Sequence, residues 1–275
     1  MPLAVRCVSL LVRAFVVALL ALGLAAQKAK EPKVVPLPKP GQAIEVVFVG
    51  NSYTHFHDLP AMVKALGKAQ KPSREVTTTM LAPGGFTLQQ HWDATGEQAP
   101  REVLKARKPD YVVLQEQSRR PIDEPAKLHE YAAKFAALCK ERQAVPVWYM
   151  TWARAAEPTA QAKLTEQYTA AWRQGGGLLA PVGVAWQQVL AGKDAPKLHT
   201  DDGSHPSPAG SYLAACVLYA TMCGGDVATF PDRLVVADEN GKDRVLVELE
   251  PALGKQLRAA AAAALTATAA KPAKK

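Results

Sequence analysis

The amino-acid sequence predicts an α/β fold, in which helices cover both faces of a parallel sheet of about five strands in a three-layer α/β/α sandwich. Apolar runs of strand length alternate with segments of helical periodicity, the pattern of parallel α/β proteins. The predicted strands are apolar throughout rather than at every second residue, as expected for strands that are buried on both faces. With 275 residues, 48% of them hydrophobic and 21% charged, the chain can bury one large core, which excludes fibrous, collagen-like and disordered classes.

Three predicted strands lie in the first half of the domain. Residues 46–49 are a continuous β-branched and aromatic run, residues 75–81 are rich in threonine, and residues 111–114 are again apolar. Residues 59–66 place apolar side chains three and four positions apart, which predicts a helix between the first two strands. The apolar pair at residues 103–104 predicts a short helix before the third strand.

Two further strands complete the predicted sheet. Helical faces at residues 128–138 and 164–172 alternate with strands at residues 145–150 and 178–182, and residues 184–190 are helical again. Strands that alternate with helices in this way are parallel, and they bind ligands beyond their carboxyl ends.

A hairpin and a helix are predicted after the sheet. Residues 234–237 and 245–249 flank Asn240 and Gly241, which form a hairpin turn signal, and residues 251–263 have helical character. The sequence assigns no role to this hairpin.

Four regions are predicted along the chain: a signal peptide at residues 1–26, a Pro/Lys-rich linker at 27–42, the folded domain at 43–258 and an Ala/Lys-rich tail at 259–275. In the first region, arginines precede an uninterrupted apolar run of eleven residues and then small residues, which is the order of a signal peptide. An uncleaved membrane anchor is the alternative, but a spanning helix needs about 20 apolar residues. We therefore expect a secreted or periplasmic protein.

The net charge of +8 comes from the ends of the chain. Residues 1–26 contribute +2, residues 27–40 contribute +3 and residues 271–275 contribute +3, whereas residues 41–270 contain 24 basic and 24 acidic residues. A neutral domain with basic ends gives no reason to expect a nucleic-acid partner.

Three cysteines, Cys139, Cys216 and Cys223, follow the predicted cleavage point, so at most one internal disulfide can form. Cys216 and Cys223 lie seven residues apart on a predicted helix, about 10 Å along its axis, which is too far for a disulfide. A disulfide, if one forms, would therefore contain Cys139.

Polar and glycine residues follow the predicted strands at the edge where ligands bind. Asn51 and Ser52 follow the first strand, Gly85 the second and residues 115–118 the third, and an Asp-x-x-His pair at residues 202–205 precedes a helix late in the domain. Together these positions offer a nucleophile, a base with its carboxylate and several oxyanion donors.

Over residues 46–222 the sequence resembles the SGNH (GDSL-like) hydrolase superfamily, in particular its carbohydrate acetylesterases. Members are similar in carrying a nucleophilic serine after strand one, an oxyanion glycine after strand two, an amide donor after strand three and Asp-x-x-His near the C-terminus. The resemblance implies a flavodoxin-like sheet, ester hydrolysis without a cofactor or a metal ion, and a small-molecule or carbohydrate ester as substrate.

Matched residue by residue, the resemblance implies that Ser52 is the nucleophile, His205 the base and Asp202 the residue that orients the base. The implied oxyanion hole consists of the backbone N–H groups of Ser52 and Gly85 and the side-chain amide of Gln115.

The sequence departs from the family pattern at two places. Asn51 replaces the usual aspartate, a residue that mainly shapes the turn. Residues 115–118 replace the usual Gly-x-Asn-Asp block and look more like the Gln-Gly-Glu-Ser block of carbohydrate acetylesterases, which makes Gln115 the expected donor. If the standard block is aligned instead, the candidate is Gln117.

Two alternatives to a serine esterase stay open at this point. One is a metal site at His55 and His57, with Asp58 beside them, to which His199, Asp201 and His205 could be added as ligands. These residue types bind zinc, although their spacing matches no metal motif. The other alternative is a non-catalytic carbohydrate-binding protein on a hydrolase-like scaffold, which the altered third block favours.

Overall fold

The structure is a computed structural model that describes residues 34–269. The predicted signal peptide, the first part of the linker and the last residues of the tail lie outside the described residues, so the four-region organisation stays a prediction. Within the described part of the chain, no helix has both the length and the apolar character needed to cross a membrane.

Five parallel strands form the central sheet in the order β2-β1-β3-β4-β5, and a separate antiparallel pair joins β6 to β7. Their bounds are β1 Ile44–Val49, β2 Val76–Leu81, β3 Tyr111–Leu114, β4 Val145–Tyr149, β5 Leu178–Ala180, β6 Arg233–Ala237 and β7 Asp243–Glu248. This strand order is flavodoxin-like, which confirms the predicted fold class. β5 ends two residues before its predicted end because Pro181 has no N–H group to extend the ladder.

Helices cover both faces of the sheet. Their bounds are α1 Ser52–His55, α2 Leu59–Ala69, α3 Leu88–Asp93, α4 Pro100–Ala106, α5 Arg120–Asp123, α6 Pro125–Glu141, α7 Gln161–Gly175, α8 Val182–Leu190, α9 Pro208–Cys223 and α10 Pro251–Ala269, with short 3-10 turns at Phe56–Asp58, Pro158–Ala160 and Val227–Thr229. The helices predicted from apolar spacing are all present. α10 continues six residues beyond its predicted end at residue 263.

Two apolar clusters form the core, one on each face of the sheet. Val46 and Phe48 of β1 point to the cluster formed with α2, α8, α9 and α10, whereas Val47 and Val49 point to the cluster formed with α3, α4, α6 and α7. Alternate side chains of one strand thus enter opposite layers. Because both layers are apolar, β1 is hydrophobic without interruption from Val46 to Val49.

The hairpin of β6 and β7 packs beside the first of these clusters. Leu234 and Val247 are buried in it, and Arg244 of β7 forms an ion pair with Asp58, just beyond α1. The hairpin therefore supports the segment that follows Ser52.

The three cysteines of the described region are unpaired. Cys139 lies in the cluster on one face of the sheet and Cys216 in the cluster on the other, which separates them by the full thickness of the sheet. Burial raises the pKa of both thiols to about 12. The described residues therefore contain no disulfide, and their cysteines act as small apolar side chains.

Candidate active site

The turn after β1 places Ser52 at the carboxyl edge of the sheet. Asn51 is buried, and its side-chain oxygen accepts hydrogen bonds from the Tyr53 backbone N–H at 3.1 Å and from Gln115 Nε2 at 3.0 Å. Asn51 Nδ2 donates to the Phe86 carbonyl at 2.8 Å. An ionised aspartate has no hydrogen for this last bond, so the asparagine ties the Ser52 turn to the glycine loop in a way that aspartate does not.

Ser52, His205 and Asp202 lie in one hydrogen-bonded line. Ser52 Oγ is 2.9 Å from His205 Nε2, and His205 Nδ1 bonds to Asp202 Oδ2. With the Nδ1–H donating to the carboxylate, Nε2 carries the lone pair that can accept the serine proton. The structure thus brings together the three residues that the sequence selected.

The Asp202 carboxylate is fixed by its own loop. Its Oδ1 accepts hydrogen bonds from the backbone N–H of Ser204 at 2.8 Å, the backbone N–H of His205 at 2.9 Å and Thr200 Oγ1 at 2.8 Å. Hydrogen bonds, with that from the His205 side chain foremost, hold the pKa of Asp202 well below its usual value. The carboxylate therefore stays ionised at neutral pH.

Aromatic side chains hold the His205 ring in place. Phe56 stacks on it with ring centroids 4.5 Å apart, and Tyr53 meets it edge-on at 5.7 Å. The Tyr53 hydroxyl lies 2.7 Å from Ser204 Oγ, and Trp152 Nε1 donates to the Ser204 carbonyl at 3.0 Å. These supports could not be predicted from the sequence, because residue spacing gives no signal for contacts between distant loops.

The loop after β2 brings open backbone to the same place. Gly84 and Gly85 line the cavity that contains Ser52 and His205. Gly85 has φ of +73°, and no atom lies within 4 Å of the position that a Cβ would take. Glycine is favoured there by the left-handed backbone rather than by lack of space.

Gln115 lies under the site rather than in it. The side chain is fully buried, and its Oε1 accepts from the Asn51 backbone N–H and from Thr54 Oγ1, both at 2.9 Å. Its Nε2 donates to Asn51 Oδ1 at 3.0 Å and to the Glu116 carbonyl at 2.6 Å. Both amide hydrogens are therefore used inside the protein, which is a reason to propose Gln117, the other candidate that the sequence offers, as the oxyanion donor in place of the expected Gln115.

Gln117 instead lines the cavity beside Ser52. Its Oε1 accepts the backbone N–H groups of Arg119 at 2.7 Å and Arg120 at 3.1 Å, which fixes the orientation of the amide. Its Nε2 makes one long contact of 3.4 Å to Ser118 Oγ. The donor end of Gln117 is therefore free to meet a ligand.

A buried carboxyl group joins the second and third loops. Glu116 Oε1 accepts the backbone N–H of Leu88 at 3.1 Å and that of Gln117 at 2.7 Å. Its Oε2 is buried without a partner among residues 34–269. Burial raises the pKa of Glu116 to about 7, although the two N–H bonds act in the opposite direction. Glu116 thus connects the start of α3 to the loop that carries Gln117.

The cavity has a volume of about 370 Å³, within the range of small-molecule sites. Its lining consists of Asn51, Ser52, Tyr53, His55, Gly84, Gly85, Gln117, Ser118, Arg154, Ser204 and His205. None of the Leu, Ile, Val or Met residues in the described range belongs to this lining. No long aliphatic side chain of the described range is therefore present in this cavity to pack against a long acyl chain.

The other histidines do not converge on one point. His55, His57 and His199 each bond a different backbone carbonyl, at 2.8, 3.0 and 3.0 Å. Across the described residues, no three His, Cys, Asp or Glu side chains are close enough to hold a metal ion. The geometry of these residues does not favour the metal-dependent alternative.

Comparison with known proteins defines the class of this protein. The sequence matches no family model and no curated protein. It is 31% identical to a protein from Slackia heliotrinireducens that is named as an SGNH hydrolase, over 66% of this chain and 99% of that one, with a TM-score of 0.55. The chain belongs to the SGNH hydrolase family.

More distant structures share the fold. A DUF4886 family protein from Bacteroides uniformis is 18% identical and superposes with a TM-score of 0.65, over 82% of this chain and 95% of that one. A family 3 carbohydrate esterase from Clostridium thermocellum is 12% identical, with a TM-score of 0.50 over 65% and 94% of the two chains. At these identities the likeness concerns the fold alone.

Proposed function

We propose that the protein is a secreted serine esterase that removes O-acetyl groups from carbohydrate. The observation that carries this proposal is the 2.9 Å contact between Ser52 Oγ and His205 Nε2. Both residues line a cavity, and the chain belongs to the SGNH hydrolase family. The predicted signal peptide supports an extracellular or periplasmic substrate.

In the proposed reaction, His205 takes the Ser52 proton as the serine oxygen attacks the ester carbon. The resulting imidazolium is stabilised by the ionised Asp202 and then protonates the leaving alcohol. Water, activated by the same imidazole, hydrolyses the acyl-serine and restores the free hydroxyl.

The tetrahedral oxyanion needs donors that are already in place. We assign this role to the backbone N–H groups of Ser52 and Gly85 and to Nε2 of Gln117. The assignment of Gln117 rests on its place in the cavity lining and on its Oε1, which is held by two backbone N–H groups.

The lining of the cavity favours a short acyl group. A long acyl chain gains binding energy from apolar surface, at roughly 0.8 kcal/mol per buried CH₂ group. The cavity beside Ser52 has a volume of about 370 Å³ and contains no aliphatic side chain of Leu, Ile, Val or Met, so a longer chain adds size there without this packing. Acetyl is the acyl group that depends least on such apolar contact.

The direct test measures the hydrolysis of p-nitrophenyl acetate, p-nitrophenyl octanoate and acetylated polysaccharides by the mature protein. We expect kcat/KM for the acetate to exceed that for the octanoate by about tenfold or more. Ser52→Ala should lower kcat by about a thousandfold or more, while Ser73→Ala, which changes an exposed serine, should act like the wild type.

Three outcomes would contradict the proposal. Full activity in Ser52→Ala excludes serine catalysis. Loss of activity on chelation, with recovery by zinc, would restore the metal-dependent alternative. Binding of polysaccharide with no turnover of any ester would identify a non-catalytic carbohydrate-binding protein.

A further inference from the structure

A second cavity lies beside the first, and Arg154 lines both. The second cavity has a volume of about 510 Å³ and is bounded in part by Trp152 and Trp186, whose rings stack at 3.9 Å. Tyr53, which lines the first cavity, also stacks on Trp152, at 4.5 Å. The two cavities are therefore neighbouring parts of one cleft, with Arg154 at their junction.

Arg154 has no counter-ion in the described part of the chain. Its Nη2 donates to Ser118 Oγ at 2.9 Å, its Nε is buried without a partner, and it forms no ion pair with a carboxylate of residues 34–269. Arg119, which follows Ser118 in the loop after β3, is instead paired with both Asp123 and Glu157. Arg154 therefore keeps an unbalanced positive charge at the cleft.

The rest of the cleft offers Arg154 no carboxylate either. Among the described residues, no Asp or Glu lines either cavity. Trp186, which lines the larger cavity, has a buried Nε1–H without a partner in residues 34–269. Buried donors that lack partners call for a ligand or water to complete them, and an unbalanced cation with these donors favours an anion.

We propose that this cleft selects esters whose alcohol portion carries a carboxylate group, which Arg154 binds. The planar guanidinium fork matches a carboxylate with two parallel hydrogen bonds, and one unpaired cation balances one negative charge. The acetyl group of the ester carries no charge, so the charge lies on the alcohol side of the ester. On a carbohydrate, this describes an acetylated uronic acid. The inference rests on the proposed esterase function for the ester, and on Arg154 for the charge.

Matched aryl acetates test the charge preference. The wild type should hydrolyse para- or meta-acetoxybenzoate with kcat/KM about tenfold or more above that for the corresponding acetoxybenzamide, which has the same shape without the charge. The two isomers vary the separation of ester and carboxylate. Arg154→Gln should bring the ratio of acid to amide close to one, and Arg154→Lys, which keeps the charge without the fork, should give an intermediate ratio.

The control is Arg107→Gln, which removes the same charge from an arginine paired with Glu45, near the amino end of β1 and away from the carboxyl ends of the strands. It should leave the ratio as in the wild type. Added salt should lower the wild-type ratio, because it screens the attraction. A wild-type ratio near one for both isomers, or an unchanged ratio in Arg154→Gln, would overturn the carboxylate site.

Binding is measured separately, so that failure of the esterase proposal can be told apart. Calorimetry titrates Ser52→Ala, with and without Arg154→Gln, with para- and meta-acetamidobenzoate, in which a stable amide replaces the ester. If the acetamidobenzoates bind more tightly to Ser52→Ala than to the variant that also carries Arg154→Gln, while the wild type turns over no ester, the anion site stands and the proposed function is overturned. Ester turnover with no binding preference that depends on Arg154 would overturn the anion site alone.

Discussion

The side chains aligned behind Ser52 should contribute unequally to turnover. Ser52→Ala and His205→Ala should each lower kcat by about a thousandfold or more, because members of a triad act as a unit. Asp202→Asn keeps an acceptor for the backbone N–H groups of its loop but removes the charge beside the imidazole, so its kcat should fall less far. Steady-state kinetics of the three variants on one acetate ester gives the ranking. A loss in Asp202→Asn as large as that in His205→Ala would contradict it.

Substitution of the two glutamines in the loop after β3 should have different effects, one on turnover and the other on stability. Gln117→Ala should lower kcat about a hundredfold with little change in KM, because an oxyanion donor acts as the oxyanion forms. Gln115→Ala leaves the buried backbone N–H of Asn51 and the hydroxyl of Thr54 without the oxygen that accepts their hydrogen bonds, so the free energy of unfolding of this variant should fall by about 2 kcal/mol.

Kinetics and urea unfolding of both glutamine variants separate the two effects. A stable Gln115→Ala protein with a hundredfold loss in kcat would reverse the assignment. In that case the donor would be Gln115, and the likeness to the carbohydrate acetylesterases in this block would regain its support.

Some residues of the site could be predicted from the sequence and others could not, for a physical reason. Asp202 and His205 lie on one short loop, so their spacing already limits how far apart they can be. Gln115 and Gln117 both follow β3, and the turn of the loop after the strand decides which one faces the cavity. Arg154 differs from Arg119 in its lack of a carboxylate partner, which depends on the tertiary fold.

At the scale of elements, Glu116 links α3 to the loop after β3, and its burial makes this link sensitive to pH. The raised pKa of about 7 means that folded Glu116 keeps its proton where the unfolded chain, with the ordinary pKa of 4.5, has lost it. The folded state thus binds more protons between these values. This contribution to stability is complete below pH 4.5, declines as the pH rises and is lost above about pH 7.

Glu116→Gln should remove this contribution. The free energy of unfolding of the wild type relative to Glu116→Gln should decline by about 3 kcal/mol between pH 4.5 and pH 7 and then level off. Urea unfolding of both proteins at several pH values measures the difference. A difference that is constant with pH would show that Glu116 is already ionised across this range.

The elements themselves were predictable where burial leaves a clear pattern. β3 is apolar and buried along its whole length because both layers cover it, and it has the predicted bounds, whereas the edge strand β2 is rich in threonine and only partly buried. The hairpin was predicted from its turn, but its contact with the segment after Ser52 depends on the pairing of Arg244 with Asp58, far apart in sequence. Pairing of this kind leaves no periodic signal.

For the molecule as a whole, the least predictable feature is where the folded domain ends. Residues 259–269 are almost entirely alanine and threonine, so the buried and exposed faces of a helix have nearly the same composition and hydrophobic periodicity disappears. The sequence therefore placed these residues in a tail. In the structure they continue α10, and Ala261 and Ala264 are fully buried in the cluster formed with α8 and α9.

Two neighbouring alanines test whether α10 is part of the folded domain. Ala264→Asp would place an unpaired carboxylate in the core and should lower the free energy of unfolding by about 3 kcal/mol or more. Ala263→Asp makes the same change at an exposed position of the same helix and should stay within about 0.5 kcal/mol of the wild type. Urea unfolding measures both. Equally small effects would mean that the helix leaves the core before Ala264, and the boundary at residue 258 would then stand.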